Sequence, residues 1–284
     1  MKHRVTLSVL ILAILSEAVS AVAGPIIKPR KYHGPIPRSS FSLRVGFLGG
    51  ASNEEILDFF DSKVPDPVQD ETVSNDFGNA PLIEGTYIYK VHPQFALRAN
   101  FYVAFLKSDW KGILVPSIEP PDTVGSSWQG PSVNAALDYD VDLFVLETSA
   151  LYYFTDAAVK EFQPYFGGGF SFGLPHQKYK EAGTVLDPDN DPDDPDYEPI
   201  FEPGQTLRTI EKDKWNFEAG VHGILGALYY FGNKWAASVE GRIQLMQSKS
   251  PSFTVLNEDG QPEEVDFIVD YSGFILTAGI SYAF

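Results

Sequence analysis

From residue 41 onward, apolar and polar residues alternate with a period of two in eight separate segments: 41–48, 81–91, 95–106, 141–154, 165–172, 215–230, 235–246 and 271–284. Each is rich in Phe, Tyr, Val, Leu and Gly and is bounded by turn residues, so each predicts a β-strand. The connections alternate in length. Short ones follow the second, fourth and sixth segments (92–94, 155–164 and 231–234), and long polar ones follow the first, third, fifth and seventh (49–80, 107–140, 173–214 and 247–270). A soluble sandwich has no reason to place every long loop at one end, whereas a barrel threaded up and down through an outer membrane does. The expected fold is therefore all-β, an eight-stranded antiparallel up-and-down transmembrane β-barrel.

The two faces of each segment differ in character. In the third, Phe95, Leu97, Ala99, Phe101, Val103 and Phe105 oppose Ala96, Arg98, Asn100 and Tyr102. In the seventh, Trp235, Ala237, Val239, Ile243 and Leu245 oppose Ser238, Glu240, Arg242 and Gln244. The fourth is less regular, because Leu143 and Val145 share a side with Glu147 and Ser149. A water-soluble, lipocalin-like barrel turns its apolar face inward, and a membrane barrel turns it outward. In the membrane arrangement Arg44, Glu84, Arg98, Glu147, Glu218, Glu240 and Arg242 all point into one narrow lumen. Unpaired charges there are costly, so these residues are expected to bond one another and block a wide channel. Aromatic residues gather where the short turns begin and end, among them Tyr87, Tyr89, Phe95, Tyr152, Tyr153, Phe154, Tyr165, Phe166, Tyr229, Tyr230, Phe231, Trp235, Tyr282 and Phe284. They read as a girdle at the headgroup level of the periplasmic side.

Composition narrows the classes further. The 284 residues carry 38 Asp plus Glu against 21 Lys plus Arg, for a net charge of -17, which argues against nucleic acid as a partner. With no cysteine there is no disulfide frame, thiolate metal site or Cys nucleophile. Residues 1–23 read as a secretory signal: Lys2, His3 and Arg4, an apolar run too short to span a bilayer, then Ala21-Val22-Ala23 ahead of cleavage. Residues 24–40 form a Pro-rich basic periplasmic arm, and 41–284 form the barrel with four long external loops. The acidic residues concentrate in those loops, which leaves the strands nearly neutral.

With a signal peptide, eight alternating strands, the segment Pro164-Tyr165-Phe166-Gly167-Gly168-Gly169-Phe170 and a closing strand that ends Gly279-Ile280-Ser281-Tyr282-Ala283-Phe284, the chain resembles the small outer-membrane β-barrel proteins of the OmpA-, OmpX- and OmpW-like group. The resemblance covers the chain after Ser40 and implies a Gram-negative-type envelope and a cell outer-membrane location. It also implies that Leu276, Ala278, Ile280, Tyr282 and Phe284, at every second position, form the signal read by the barrel assembly machinery. One scaffold of this kind hosts many functions.

Candidate chemistry is sparse. Asp187, Asp189, Asp191, Asp193, Asp194 and Asp196 stand in one Pro-interrupted run. They form either a calcium site, since carboxylates at alternate positions suit a hard cation, or a solvated acidic loop. Apart from that candidate calcium no cofactor is expected. Asn53, Glu54 and Glu55 ahead of Ile56, Leu57, Phe59 and Phe60 predict a short amphipathic helix near 53–63 that covers the barrel mouth, lies on the membrane or packs on neighbouring loops. No phosphate loop or His metal pair occurs, and His222 has no Ser close in sequence, so any His and Ser pair must form in space; no enzymatic activity is expected. The expected role is structural or interactive, with loops meeting cations, lipopolysaccharide or other surfaces. The alternative is a narrow OmpW-like channel that passes small apolar compounds sideways between strands. An apolar pocket beside a break between strands distinguishes the channel; an uninterrupted Arg and Glu core distinguishes the structural role.

Overall fold

The computed structural model describes residues 38–62, 72–114, 127, 129–155, 162–231, 234–256 and 262–284. The expected signal 1–23 and the arm up to residue 37 lie outside them. Eight long strands close a ring: β1 (Ser39–Gly49), β3 (Ala80–His92), β4 (Phe95–Leu114), β5 (Ser132–Tyr153), β6 (Phe162–Asp187), β8 (Glu218–Tyr230), β9 (Trp235–Leu245) and β14 (Gly273–Ala283). All neighbours pair antiparallel, and β14 returns to β1 through a ladder from Ser40↔Ala283 to Gly49↔Phe274. Shorter strands decorate one end: β2 (Val73–Asn75) on β4, β7 (Thr206–Trp215) on β6, β10 (Gln247–Lys249) with β13 (Ile268–Asp270), and β11 (Phe253–Leu256) with β12 (Pro262–Val265).

The expected ring of eight is present, with its polarity as read from the alternation. Along β4, Phe95, Leu97, Phe101 and Phe105 are each about half exposed, while Ala96, Arg98, Asn100 and Tyr102 are buried. The outward apolar stretch 95–105, at about 3.3 Å per residue and a tilt of about 40°, is about 25 Å tall, the height of a lipid-facing band.

Three sequence expectations need correction. Ser39 and Ser40 belong to β1 rather than to the arm. The central strands also run far beyond their expected ends, β4 to Leu114, β5 from Ser132 and β6 to Asp187, and β7 occupies ground expected to be loop. The cause is a change of surroundings along a single strand. In lower β4 the apolar side chains face out; in upper β5 Val133, Leu137, Tyr139, Val141, Leu143 and Val145 face in, and Asp138, Asp140 and Asp142 face out. The same period-2 pattern changes face without a register slip, so above the band it looks like polar loop. This also explains the irregular fourth segment. Finally, Tyr153 and Tyr165 are fully buried and leave the outer girdle, which keeps Phe95, Tyr152, Phe166 and Phe154 in ring contact at 5.1–5.5 Å and Trp235 with Tyr282 at 4.9 Å.

The expected helix forms as α1 (Glu54–Asp61). Ser52 Oγ, not the Asn53 side chain, accepts the Glu54 N–H; Asn53 instead donates to Ser108 Oγ at 2.7 Å. Its buried face, Ile56, Leu57 and Phe60, joins the apolar cluster of Leu106, Trp110 and Tyr139, so α1 covers the barrel mouth. Two bonds hold it there: Trp110 Nε1 donates to Asp61 Oδ1 at 2.7 Å, and Ile268 N donates to Glu55 Oε2 at 2.8 Å.

Candidate functional site

The lumen is built in three tiers. The middle tier is ionic, and its side chains come from inward positions on five strands. Arg44 (β1) places Nη1 at 3.1 Å from Glu84 Oε1 (β3) and 2.9 Å from Glu240 Oε2 (β9). Arg242 (β9) bridges Glu147 Oε2 (β5) at 2.6 Å and the other oxygen of Glu84, Oε2, at 2.5 Å. Arg98 (β4) lies 2.9 Å from Glu240 Oε1. All six side chains are at most 1% exposed.

Of the seven residues expected in this core, six meet and Glu218 does not. Glu218 faces inward at the external end and accepts from Ser248 Oγ at 2.8 Å. Its removal matters electrostatically, because the remaining three Arg and three Glu cancel. A buried set with a surplus carboxylate would carry an uncompensated charge in a low-dielectric interior, which is several kcal/mol more costly.

Neutral partners add hydrogen bonds to the tier. Asn100 donates to Glu147 Oε2 at 2.8 Å and accepts from Thr86 Oγ1 at 2.7 Å; Tyr165 donates to Glu240 Oε2 at 2.7 Å; Arg44 Nε donates to Ser238 Oγ at 3.1 Å. The Arg242 guanidinium lies 5.2 Å from the centre of the Tyr102 ring, where the ring face favours a cation. Sequence reading missed Tyr165 in this role. Its inward parity within β6 is the signal that identifies it, and proximity to a turn hid it.

Apolar clusters lie toward both ends. Toward the short turns, Ile88, Ala96, Leu151, Tyr153, Tyr165, Ile224, Leu228 and Ala236 form one buried cluster. Lys90 enters it from the side, donating to Gln163 Oε1 at 3.1 Å and lying 5.0 Å from the Tyr153 ring. Toward the long loops, Leu48, Tyr102, Leu106, Leu143, Val145, Met246, Tyr271 and Ile275 pack under α1.

A His and Ser pair does form in space. His222 Nε2 lies 2.8 Å from Ser149 Oγ and Nδ1 lies 2.8 Å from Ser171 Oγ, with Glu147 Oε1 3.8 Å from Nδ1. The His222 and Glu147 side chains are fully buried. At 3.8 Å the Glu147 carboxylate is beyond hydrogen-bond distance of the ring, whose Nδ1 meets Ser171 instead, and the surroundings are those of a packed core.

The acidic run is ordered by hydrogen bonds within the turn. Asp189 and Asp191 are buried. Asp189 accepts from Tyr197 OH at 2.7 Å and Phe201 N at 3.0 Å, Asp191 Oδ1 from Asp193 N at 3.1 Å, and Asp194 Oδ1 from Asp196 N at 3.0 Å; Ser127 Oγ donates to Asp193. Asp187, Asp193, Asp194 and Asp196 are exposed. Among the described residues, no group of three or more His, Asp and Glu converges to hold a metal ion. These carboxylates cap the backbone of the β6–β7 turn.

The closing strand presents Leu276, Ala278, Ile280, Tyr282 and Phe284 on its outer face, with Ile280 and Phe284 more than half exposed. Both edges of β14 are paired, and Phe284 N donates to Ser39 O at 2.9 Å. Any protein that reads this strand by edge pairing must do so before the ring closes.

No family model matches the chain, and no curated protein does. Solved structures similar to it include the outer membrane protein OprG from Pseudomonas aeruginosa (13% identity, 87% of this chain and 97% of that one, TM-score 0.49). The N-terminal β-barrel domain of Pseudomonas aeruginosa OprF (11% identity, 87% and 98%, TM-score 0.34) and Neisserial surface protein A (10% identity, 87% and 96%, TM-score 0.37) are also similar.

Proposed function

We propose that the chain is an outer-membrane barrel with a plugged lumen, which anchors an acidic external cap for structural or surface-interaction work. The observation that carries this reading is the neutral Arg and Glu tier, sealed above and below by apolar side chains while the barrel's outer face is apolar. An apolar exterior requires lipid around it, and a filled interior leaves no aqueous path. The acidic loops then meet the outside, where divalent ions bridge them to lipopolysaccharide phosphates or to other anionic surfaces. The terminal strand, with its outward Phe284, Tyr282 and Ile280, serves the assembly machinery before closure.

Two measurements test the proposal. After cell fractionation the protein is expected in the outer membrane with heat-modifiable gel mobility; recovery in the soluble fraction would overturn it. In planar bilayers the purified protein is expected to give no stable large openings, and porin-like conductance steps would show that the lumen is not plugged.

One observation favours the narrow-channel alternative. The β8–β9 ladder ends at Val221↔Leu245, yet both strands continue upward as β7 and β10. There the seam is closed by side chains: Lys214 Nζ donates to Ser250 O at 2.8 Å, and Asn216 Nδ2 donates to Ser248 Oγ at 2.8 Å. A disulfide between cysteines at Asn216 and Ser248 is expected to leave uptake of small apolar compounds by cells unchanged under the plugged reading. Loss of uptake on oxidation, restored by reductant, would favour the channel.

A further inference from the structure

Above the apolar band, four exposed lysines stand beside carboxylates: Lys107 with Asp140 at 3.5 Å, Lys178 with Asp142 at 2.7 Å, Lys180 with Glu211 at 3.2 Å and Lys249 with Asp266 at 3.5 Å. On the outer face the register makes this systematic, since Asp138, Asp140 and Asp142 of β5 lie opposite Lys180, Lys178 and His176 of β6. Lys212 and Lys214 of β7 depart from that rule. Both have inward parity and are half-buried, and each donates to a backbone carbonyl, Lys212 Nζ to Ser252 O and Lys214 Nζ to Ser250 O at 2.8 Å. Among the described residues no carboxylate lies within ion-pair distance of either ammonium group. Asp266 feels the charge of Lys214, but its oxygens are engaged by Ser252 Oγ at 2.7 Å and by Lys249. A backbone carbonyl satisfies a lysine's hydrogen bond and leaves its charge uncompensated. In a chain with 38 acids for 21 bases, two such lysines side by side are an exception.

These two lysines span a break in the wall. β7 pairs with β6, β10 with β13 and β11 with β12, and among the described residues no ladder joins β7 to β10 or β11. The break begins where the β8–β9 ladder ends, at Val221↔Leu245, and Leu245 is the last outward apolar residue of β9. Phe217 and Trp215 on one rim and Leu245 on the other are each more than half exposed. On the inner side Tyr179 and Phe253 meet edge to face at 4.6 Å, Phe253 lies 5.2 Å from Phe267, and Ile210 packs on the same cluster. An apolar rim in the band thus leads up to two cations, Lys214 one residue beyond Trp215 and Lys212 three beyond it. Their Cα atoms, two positions apart on one strand, are about 6.6 Å from each other, so both ammonium groups can reach one anion with two oxygens.

We propose that this seam binds a single-chain lipid anion, a long-chain carboxylate, with its head between Lys212 and Lys214 and its chain leaving past Phe217 and Leu245 into the bilayer. The carboxylate takes the lysines over from Ser250 O and Ser252 O and supplies the opposite charge that those carbonyls lack. The two carbonyls face the half-exposed seam and return to water. One chain suits the entrance better than a lipid with several, because the ties from Lys214 to Ser250 and from Asn216 Nδ2 to Ser248 Oγ, each 2.8 Å, keep the two rims close. The site lies in the wall above the Arg and Glu tier, so nothing passes through the lumen. The path of the chain rests on the outer-membrane proposal, and the uncompensated cations at an unladdered seam do not.

The probes are stearate spin-labelled near its carboxylate and the methyl ester of the same molecule, which keeps the chain and loses the charge. The full chain is placed in phosphatidylcholine vesicles at a pH where the stearate is ionised, and electron paramagnetic resonance reads the motionally restricted fraction of each probe. Wild-type protein is expected to hold the acid about fivefold or more tightly than the ester, the effect of a lysine or two on a lipid anion. K212Q/K214Q is expected to abolish that preference and K212R/K214R to keep it. K107Q/K178Q, on the outer face, is expected to leave it unchanged. Equal restriction of acid and ester, a preference that survives K212Q/K214Q, or one lost in K107Q/K178Q overturns the proposal. An equal preference for spin-labelled phosphatidylglycerol through the same lysines overturns the assignment to a single-chain carboxylate. If K212Q/K214Q loses heat-modifiable mobility, N216C/S248C carries the test: oxidation is expected to remove the preference and reductant to restore it, and a preference indifferent to oxidation overturns the site. Failure to float with the vesicles would refute the membrane reading alone, and the same probes in non-ionic detergent micelles then decide the site.

Discussion

Replacing Arg242 with Met lowers the unfolding free energy by about 3–5 kcal/mol, the cost of leaving buried carboxylates without their cation. Arg242 is the main partner of Glu147 at 2.6 Å and bonds Glu84 at 2.5 Å, and the Met side chain fills similar volume without a charge. The loss is therefore electrostatic rather than a cavity effect. Two controls separate the causes. Adding Glu147→Gln to Arg242→Met brings the tier back to equal numbers of positive and negative groups and is expected to recover a large part of the loss. Glu218→Gln is expected to change stability by under about 1 kcal/mol, because its carboxylate stands outside the ionic tier and bonds a single hydroxyl. Urea unfolding in lipid vesicles, followed by tryptophan fluorescence, measures all three. Equal losses for Arg242→Met and Glu218→Gln would show that the tier is not a coupled unit.

The second large effect concerns the outer face. Val239 is 51% exposed and lies midway along the outward stretch of β9 between Trp235 and Leu245. Val239→Arg in vesicles is expected to lower stability by about 2–4 kcal/mol, the cost of a cation at the bilayer midplane of a barrel. Lys249→Arg, above the band, is expected to be neutral. In a water-soluble barrel Val239→Arg would be neutral too, because an exposed apolar residue gains nothing from being apolar in water. The comparison therefore tests the surroundings of the barrel as well as its shape.

The ring of eight was legible because the side-chain period of a strand is two and the turn lengths alternated. The inward parity of Arg44, Glu84, Arg98, Glu147, Glu240 and Arg242 followed from the same count. Glu218 shows the limit of that count. Parity placed it inside, as the structure does, but height along the strand decides which inward residues meet, and height depends on the stagger between neighbouring strands. Sequence reading alone gives no stagger. The external half was less legible still, since Lys107, Asp109 and Lys111 outside and Ser108 and Trp110 inside look like loop when the apolar face is expected outward. α1 was visible from its acidic first turn and apolar stripe, whereas its seat on the barrel mouth was set by Trp110 and Ile268, which are remote in sequence.

The sequence by itself determined the number of strands in the ring, the threading, the outward apolar band and the concentration of acid outside that band, because each depends only on local periodicity and composition. Only the tertiary structure decided that the lumen charges cancel three against three, that an apolar cluster lies on either side of them, and that the acids of β5 lie beside the bases of β6. Those features arise from register and stagger, which are properties of pairs of strands. A side chain's parity is written in its own segment, and its partner is chosen by the neighbouring strand.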